Sequence, residues 1–254
     1  MRQLGLLLLP ILFTGCASLT KVSKQNEGLA KVKKVAIVGF SVSYQEPPKS
    51  KLGQMLDTAK KLTGNDDSPR YGENDNVDIL LQEFADKVQK ENSWHVVPVS
   101  QLAGLPEYKR LVKQTTEGFQ MRPPLPESMF VLRAHHIIDA GAFSMMKPEQ
   151  KARLAKDLGV DAVLIVNVIS TIEVEGGLKK YIGMAEFRPR AQVTVEMIDG
   201  RSDQPLWQDS WAWGTGDKAV QSTLSIANNT ELMEQVKIAV RYGYKDLFGR
   251  YKVQ

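Results

Sequence analysis

The stretch Leu154-Ala155-Lys156-Asp157-Leu158-Gly159-Val160-Asp161-Ala162-Val163-Leu164-Ile165 decides the fold of this chain. Pro148 in a first turn, Leu154 and Leu158 on one side and Gly159 as a stop predict a helix over 148–158. Val160 and Asp161 lead directly into a uniformly apolar run over 162–166, the pattern of a strand covered on both faces. From there Val168, Ile172 and Val174 alternate with Asn167, Thr171 and Glu173, so the same strand, running to Glu175, ends with one face buried. A helix feeding such a strand implies an α/β or α+β chain with a single mixed sheet and helices packed on it.

Downstream, Gly176-Gly177 reads as a turn. Ala191, Val193, Val195 and Met197 alternate with Gln192, Thr194 and Glu196 as a half-buried antiparallel strand. A turn at Asp199-Gly200-Arg201-Ser202 returns the chain into a strand over 206–214, with Trp207, Trp211 and Trp213 on one face. The stripe Leu232, Val236, Val240, Tyr244 and Leu247 predicts a closing helix over 229–251. Upstream, Val35-Ala36-Ile37-Val38-Gly39-Phe40 marks a buried strand within 35–42. An insertion at 43–76 follows. In it Leu52, Met55, Leu56, Ala59 and Leu62 recur at helical spacing, and 65–76 has the composition of a mobile loop. A helix over 77–91, with the stripe Val77, Leu80, Leu81, Phe84 and Val88 and a cap at Asp75 or Asn76, leads to a strand over 94–99. Residues 101–118 read as partly helical and 121–126 as Pro-rich and extended, the latter inside a second insertion at 112–147.

The 254 residues are 43% hydrophobic and 24% charged, which is ordinary for a globular chain. The 33 basic residues are scattered among 29 acidic ones, so the net charge of +4 forms no basic stripe and nucleic acid is not an expected partner. The single cysteine, Cys16, rules out a disulfide within the chain, a thiol active site behind the leader, and a multi-cysteine metal centre.

At the N-terminus, Arg2 precedes an apolar run over 4–13 that contains Gly5 and Pro10. A run of about ten residues is half the roughly 20 that a membrane-spanning helix needs, and it fits the core of an export signal. Phe13-Thr14-Gly15-Cys16 follows and resembles the bacterial lipobox, although Leu is commonest where Phe13 stands. The resemblance implies cleavage after Gly15 and lipidation of Cys16 with a diacylglyceryl thioether and amine acylation, so that the protein holds to a membrane through acyl chains such as palmitate. Two or three chains on one cysteine anchor stably where one binds only reversibly. Ala17 and Ser18 follow, without the Asp that favours inner-membrane retention, which implies the outer membrane. The expected organisation is a signal peptide at 1–15, a lipidated N-terminus and polar, Lys-rich flexible tether at 16–31, and a globular domain at 32–254.

Four blocks carry a further resemblance: Lys34-Val35-Ala36-Ile37-Val38-Gly39-Phe40; Trp94-His95-Val96-Val97-Pro98-Val99 with Leu102; the helix–strand unit quoted first; and Ile198-Asp199-Gly200-Arg201 ahead of Trp207. Over about half its length the chain resembles the N-terminal domain of TolB and the curli-secretion lipoprotein CsgG. Asn167 stands where that family often has Gly. The resemblance implies a sheet with helices on one side, facing the periplasm and used to bind partners in cell-envelope assemblies. CsgG-like members form rings through membrane-inserting hairpins, but the charges at Lys179, Lys180, Glu186, Arg188 and Arg190 do not suit a transmembrane strand. The implied function is a binding or assembly accessory with an envelope protein as partner. A ring-forming secretion subunit, hence a homo-oligomer, is the alternative, and an envelope hydrolase is a third.

Little in the sequence points to catalysis, and no enzyme activity, cofactor or metal is expected. His135 and His136 are adjacent, so they point apart on a strand and about 100° apart on a helix and do not suit one metal ion. The acidic residues of 65–76 lack the spacing of a calcium loop. Gly214-Thr215-Gly216-Asp217-Lys218 lacks the spacing and the final hydroxyl of a phosphate loop. Glu173 and Glu175 share a strand face, as exposed edges commonly provide. Trp207, Trp211 and Trp213 are the best binding candidates, being either core or an exposed recognition surface. Met145-Met146 and the Pro-rich segment at 121–126 are weaker ones.

Overall fold

The computed structural model describes residues 23–24, 26–45, 71–120, 129–175, 186–202, 204–223, 226–227 and 229–250. Cys16, the helix expected over 52–62, the Pro-rich 121–126 and the turn at Gly176-Gly177 lie outside the described residues.

The chain folds as a mixed α/β structure around one open sheet. In sequence order the strands are β1 (Ser23–Lys24), β2 (Lys34–Gln45), β3 (Tyr71–Glu73), β4 (His95–Val96), β5 (Met129–Arg133), β6 (Ala162–Glu175), β7 (Glu186–Asp199), β8 (Pro205–Thr215), β9 (Val220–Thr223) and β10 (Ile226–Ala227). The helices are α1 (Asn26–Leu29), α2 (Asp75–Asn92), α3 (Val99–Gly104), α4 (Pro106–Gln120), α5 (Ala140–Ser144), α6 (Pro148–Asp157) and α7 (Asn229–Arg250). Across the sheet the order is β1-β8-β7-β6-β2-β5-β3. The central pair β2 and β6 is parallel, whereas β6-β7-β8 is an antiparallel meander.

β6 spans the expected strand, and Ala162 through Val166 are all buried. Its bulk is sandwiched because the sheet carries helices on both faces, not on one side as the family resemblance implies. Phe40 of β2 packs against Phe84 of α2, with ring centroids 6.4 Å apart. On the opposite face a Cβ on its neighbour Gly39 would come within 3.5 Å of the Ala140 backbone in α5. Phe84 also meets Tyr244 and Phe248 of α7 at 5.1 and 5.6 Å. Tyr244 donates to the Leu80 carbonyl and Arg241 forks onto Glu83, so α7 is clamped to α2.

Asp161, between α6 and β6, accepts hydrogen bonds from the backbone N–H groups of Lys33 and Lys34 and from Arg201. One carboxylate thereby ties the starts of β2 and β6 to the β7–β8 turn. Partial burial would raise its pKa, but these donors outweigh that and hold it below the ordinary carboxylate value. Gly159 ends α6 at φ +62°, as a C-terminal glycine should.

Several expectations need correction. Residues 71–76, expected in a loop, supply β3 and the start of α2, and the cap is Asn74, whose side chain accepts from the Asn76 N–H. The strand expected over 94–99 pairs only at His95–Val96 before α3 begins. The insertion at 112–147 contains β5, which pairs with β2 along five residues from Ser41↔Arg133 to Gln45↔Met129. The stretch expected as tether joins the fold early: Ser23 pairs with Gln208, Lys24 with Trp207, and Leu29 is buried.

Candidate binding surface

Three tryptophans at odd positions on one strand should share a face, yet Trp207 is fully buried while Trp211 and Trp213 are 46% and 37% exposed. The cause is a bulge. Val193 of β7 lies opposite Ala212 and Val195 lies opposite Asp209, so β8 fits one extra residue between these pairs. An extra residue in a period-two strand exchanges the faces beyond it. Before the bulge Trp207 points into the core against Phe248, 6.1 Å between ring centroids. Beyond it Ala212 and Gly214 take the core face, and Trp211 and Trp213 turn to the other. The expected set of three is therefore one core residue and an exposed pair.

The core side of β8 beyond the bulge is exceptionally close. A Cβ at Gly214 would stand 1.9 Å from the Ala239 carbonyl and 2.4 Å from the Gly243 nitrogen of α7. Two glycines let strand and helix backbones touch, which holds the tryptophan pair rigidly on the far side.

On that far side, α1, α5 and α6 cover the lower part of the sheet. Leu206 is buried there beside α1, and Lys151 of α6, itself buried, pairs with Glu196 of β7 at 2.9 Å. Above them, no helix among the described residues covers the face. Ile169, Gln192 and Trp213 lie side by side across β6, β7 and β8, with Ile169 also exposed. Arg190 lies 5.4 Å over the Trp213 ring and pairs with Glu173, so its charge is largely neutralised.

The outer edge of β8 is closed by carboxylates. The Trp211 N–H donates to Asp209 and the Trp213 N–H to Asp246 of α7. Arg250 bridges Asp209 and Asp246 at 3.3 and 3.1 Å. Occupied edge N–H groups cannot receive an added strand, the usual protection of a sheet edge. The nearby Gly214-Thr215-Gly216-Asp217-Lys218 turn leads into β9, with Gln235 accepting from the Lys218 N–H.

A second cluster joins parts of the chain that sequence reasoning kept apart. His135 donates its backbone N–H to Asp78, and its Nδ1 lies 2.6 Å from the other oxygen of that carboxylate. Asp75 and Glu73 stand 3.9 Å from the same ring. The hydrogen bond to Asp78 holds the His135 pKa above its ordinary value despite some loss of solvent, and the charges of Asp78, Glu73 and Asp75 add to this. Asp75, Asp78 and His135 offer donor atoms within 4.8 Å of one another, a set that can share a proton or face a cation. Arg133, 3.1 Å from Glu73, already places a positive charge beside it. His136 stands at a left-handed φ of 61° with its ring edge-on to that of His135, 6.3 Å between centroids, and its N–H donates to Glu73. Of the methionines, Met145 is exposed, whereas Met146 packs against the core.

No family model matches the chain, and no curated protein matches it. Among solved structures it is similar to the lipoprotein GNA1162 from Neisseria meningitidis, at 10% identity over 81% of this chain and 92% of that one, with a TM-score of 0.30. It is also similar to the hypothetical protein CT253 from Chlamydia trachomatis, at 10% identity over 85% and 96% of the two chains, with a TM-score of 0.36. At these scores neither likeness bears on function. Among the described residues, no helix is long and apolar enough to cross a membrane.

Proposed function

We propose that the chain is a lipid-anchored protein of the bacterial cell envelope, held at the periplasmic face of the outer membrane by acyl chains on Cys16, and that it works as a non-enzymatic binding accessory. The anchor rests on the lipobox-like Phe13-Thr14-Gly15-Cys16 behind a short apolar run. The binding role rests on one observation: the open part of the sheet carries Trp211, Trp213 and Ile169 exposed together. Large, rigid amphipathic side chains on a fixed strand are the residue type that dominates recognition surfaces. The TolB-like and CsgG-like blocks fall on β2, β4, the α6–β6 unit and the β7–β8 turn, the elements that build the sheet's frame.

The test is the full-length protein extracted from membranes in mild detergent. Its intact mass should show the signal removed and acyl chains on Cys16, and its particle mass should be that of a monomer or of a stoichiometric complex with a different envelope component. A discrete homo-oligomer of ring size would overturn the accessory reading in favour of a secretion subunit. A chain without acyl mass would overturn the anchor.

A further inference from the structure

The position of β1 says toward which end of β8 the chain before it runs. β1 is antiparallel to β8, with Ser23 opposite Gln208 and Lys24 opposite Trp207. Its N-terminal end is therefore the end nearer Trp211 and Trp213. Only six residues lie between Cys16 and Ser23, seven Cα-to-Cα steps. At no more than about 3.6 Å each, they reach about 25 Å when fully extended. Trp211 and Trp213 stand three and five positions beyond Gln208, about 10 and 17 Å along the strand. An acylated Cys16 thus brings the bilayer within a distance of the sheet edge comparable to the span that holds the two indoles.

The chemistry of the face suits a lipid headgroup layer. Indole rings, apolar with one polar N–H, collect at membrane interfaces. On the sheet face Thr171, Gln192 and Thr194 are uncharged and polar and Arg190 is paired with Glu173, while at the Trp213 edge Arg250 is paired with Asp246 beside Lys245. The face therefore needs no anionic lipid. Strand addition, the commonest way for another chain to bind a sheet edge, is closed by Asp209 and Asp246 on the Trp211 and Trp213 N–H groups.

We propose that the Trp211, Trp213 and Ile169 face seats on the headgroup layer of the bilayer that holds Cys16. This rests on the anchored reading above and names the bilayer as the component that the face binds. The domain then lies with this sheet face down, and α2 and α7 point away from the membrane. A second contact beside the acyl chains fixes the orientation of a domain that a leash alone would leave free to tumble.

The experiment uses the full-length acylated protein in phosphatidylcholine vesicles whose acyl chains are either plain or brominated near the headgroup. Bromine quenches an indole only at close range, and Trp94 and Trp207 are buried. Bromination should remove emission up to the share of two of the chain's four tryptophans, independently of salt. The double variant Trp211→Ala/Trp213→Ala should lose this quenching while staying vesicle-bound through Cys16. Equal emission from both kinds of vesicle overturns the proposal, as does quenching that persists in the double variant. Protection of the two indoles from aqueous acrylamide only within a co-purified protein complex assigns the face to a protein partner and also overturns it. An acylated mass without bromine quenching defeats this inference alone; an unacylated mass defeats the anchor and the inference together.

Discussion

Replacing Gly214 with alanine should unseat α7 from β8. The new Cβ would lie 1.9 Å from the Ala239 carbonyl, 2.4 Å from the Gly243 nitrogen and 2.7 Å from the Tyr242 Cβ. Two of these obstacles are backbone, which no rotamer change can move. Ordinary contact requires the helix to retreat by about 1.5 Å, and a gap of even 0.5–1 Å forfeits a quarter to a half of the dispersion energy of the atoms involved. The retreat would loosen Val236, Val240 and Tyr244 from the sheet, all buried against it. Overpacking of a well-fitted core costs roughly 1–3 kcal/mol, and a backbone clash on this scale should cost about 3 kcal/mol or more. For a domain of this size each kcal/mol lowers the melting temperature by about 2–4 °C, so the expected loss is roughly 6–12 °C. Gly249→Ala is the matched control, because nothing lies within 4 Å of its Cβ position in the last turn of the same helix. It should leave stability unchanged or raise it by up to about 1 kcal/mol. Thermal unfolding followed by circular dichroism reads both. If Gly214→Ala melted within 1 °C of the parent, or if Gly249→Ala fell equally far, the close strand–helix approach would not be what holds the tryptophan strand in place.

Tyr108 is buried, donates to the Val38 carbonyl and accepts from the Ile138 N–H, and burial pushes its phenol well above the ordinary value. Tyr108→Phe leaves both backbone groups unpaired and should cost about 1–3 kcal/mol, read from the midpoint of urea unfolding. Glu196→Ala removes the carboxylate paired with the buried Lys151 ammonium and should destabilise by about 3 kcal/mol, and the further change Lys151→Met should recover part of that loss. His135 has a raised pKa in the folded chain, so its contribution is fully present below the unfolded value and fades as pH rises through the folded one. The stability difference between parent and His135→Gln should accordingly shrink on going from pH 6 to pH 9, and a difference that grew over that range would contradict the Asp78 pairing.

How much could be read in advance depends on whether a signal is local. The apolar run of β6, the β7 alternation and the stripe of α7 each lie within one element, and each is found with the expected buried residues, whereas Ile172 and Val174 at the end of β6 are only half-buried. β5 carries a readable signal, the apolar β-prone run Met129-Phe130-Val131-Leu132, but it lies in the 112–147 segment, which has no counterpart in the blocks that carry the family resemblance. β3 and β4, at three and two residues, are too short for any periodicity to show. The His135–Asp78 pair joins positions 57 apart, and nothing within either segment specifies the other.

The tryptophans show the division most clearly. The sequence by itself determined that residues 206–214 form a strand rich in indoles, because composition and alternation are written in consecutive residues. Which indoles reach the surface was decided by register. β8 accommodates one more residue than β7 between Asp209 and Ala212, and that single insertion sends Trp207 inward and Trp211 and Trp213 outward. A bulge belongs to a pair of strands, not to either one, so no reading along one chain segment contains it. The antiparallel pairing of Ser23 with Gln208, which points the N-terminal end of β1 toward the exposed pair, is likewise a contact between distant segments that only the folded sheet brings together.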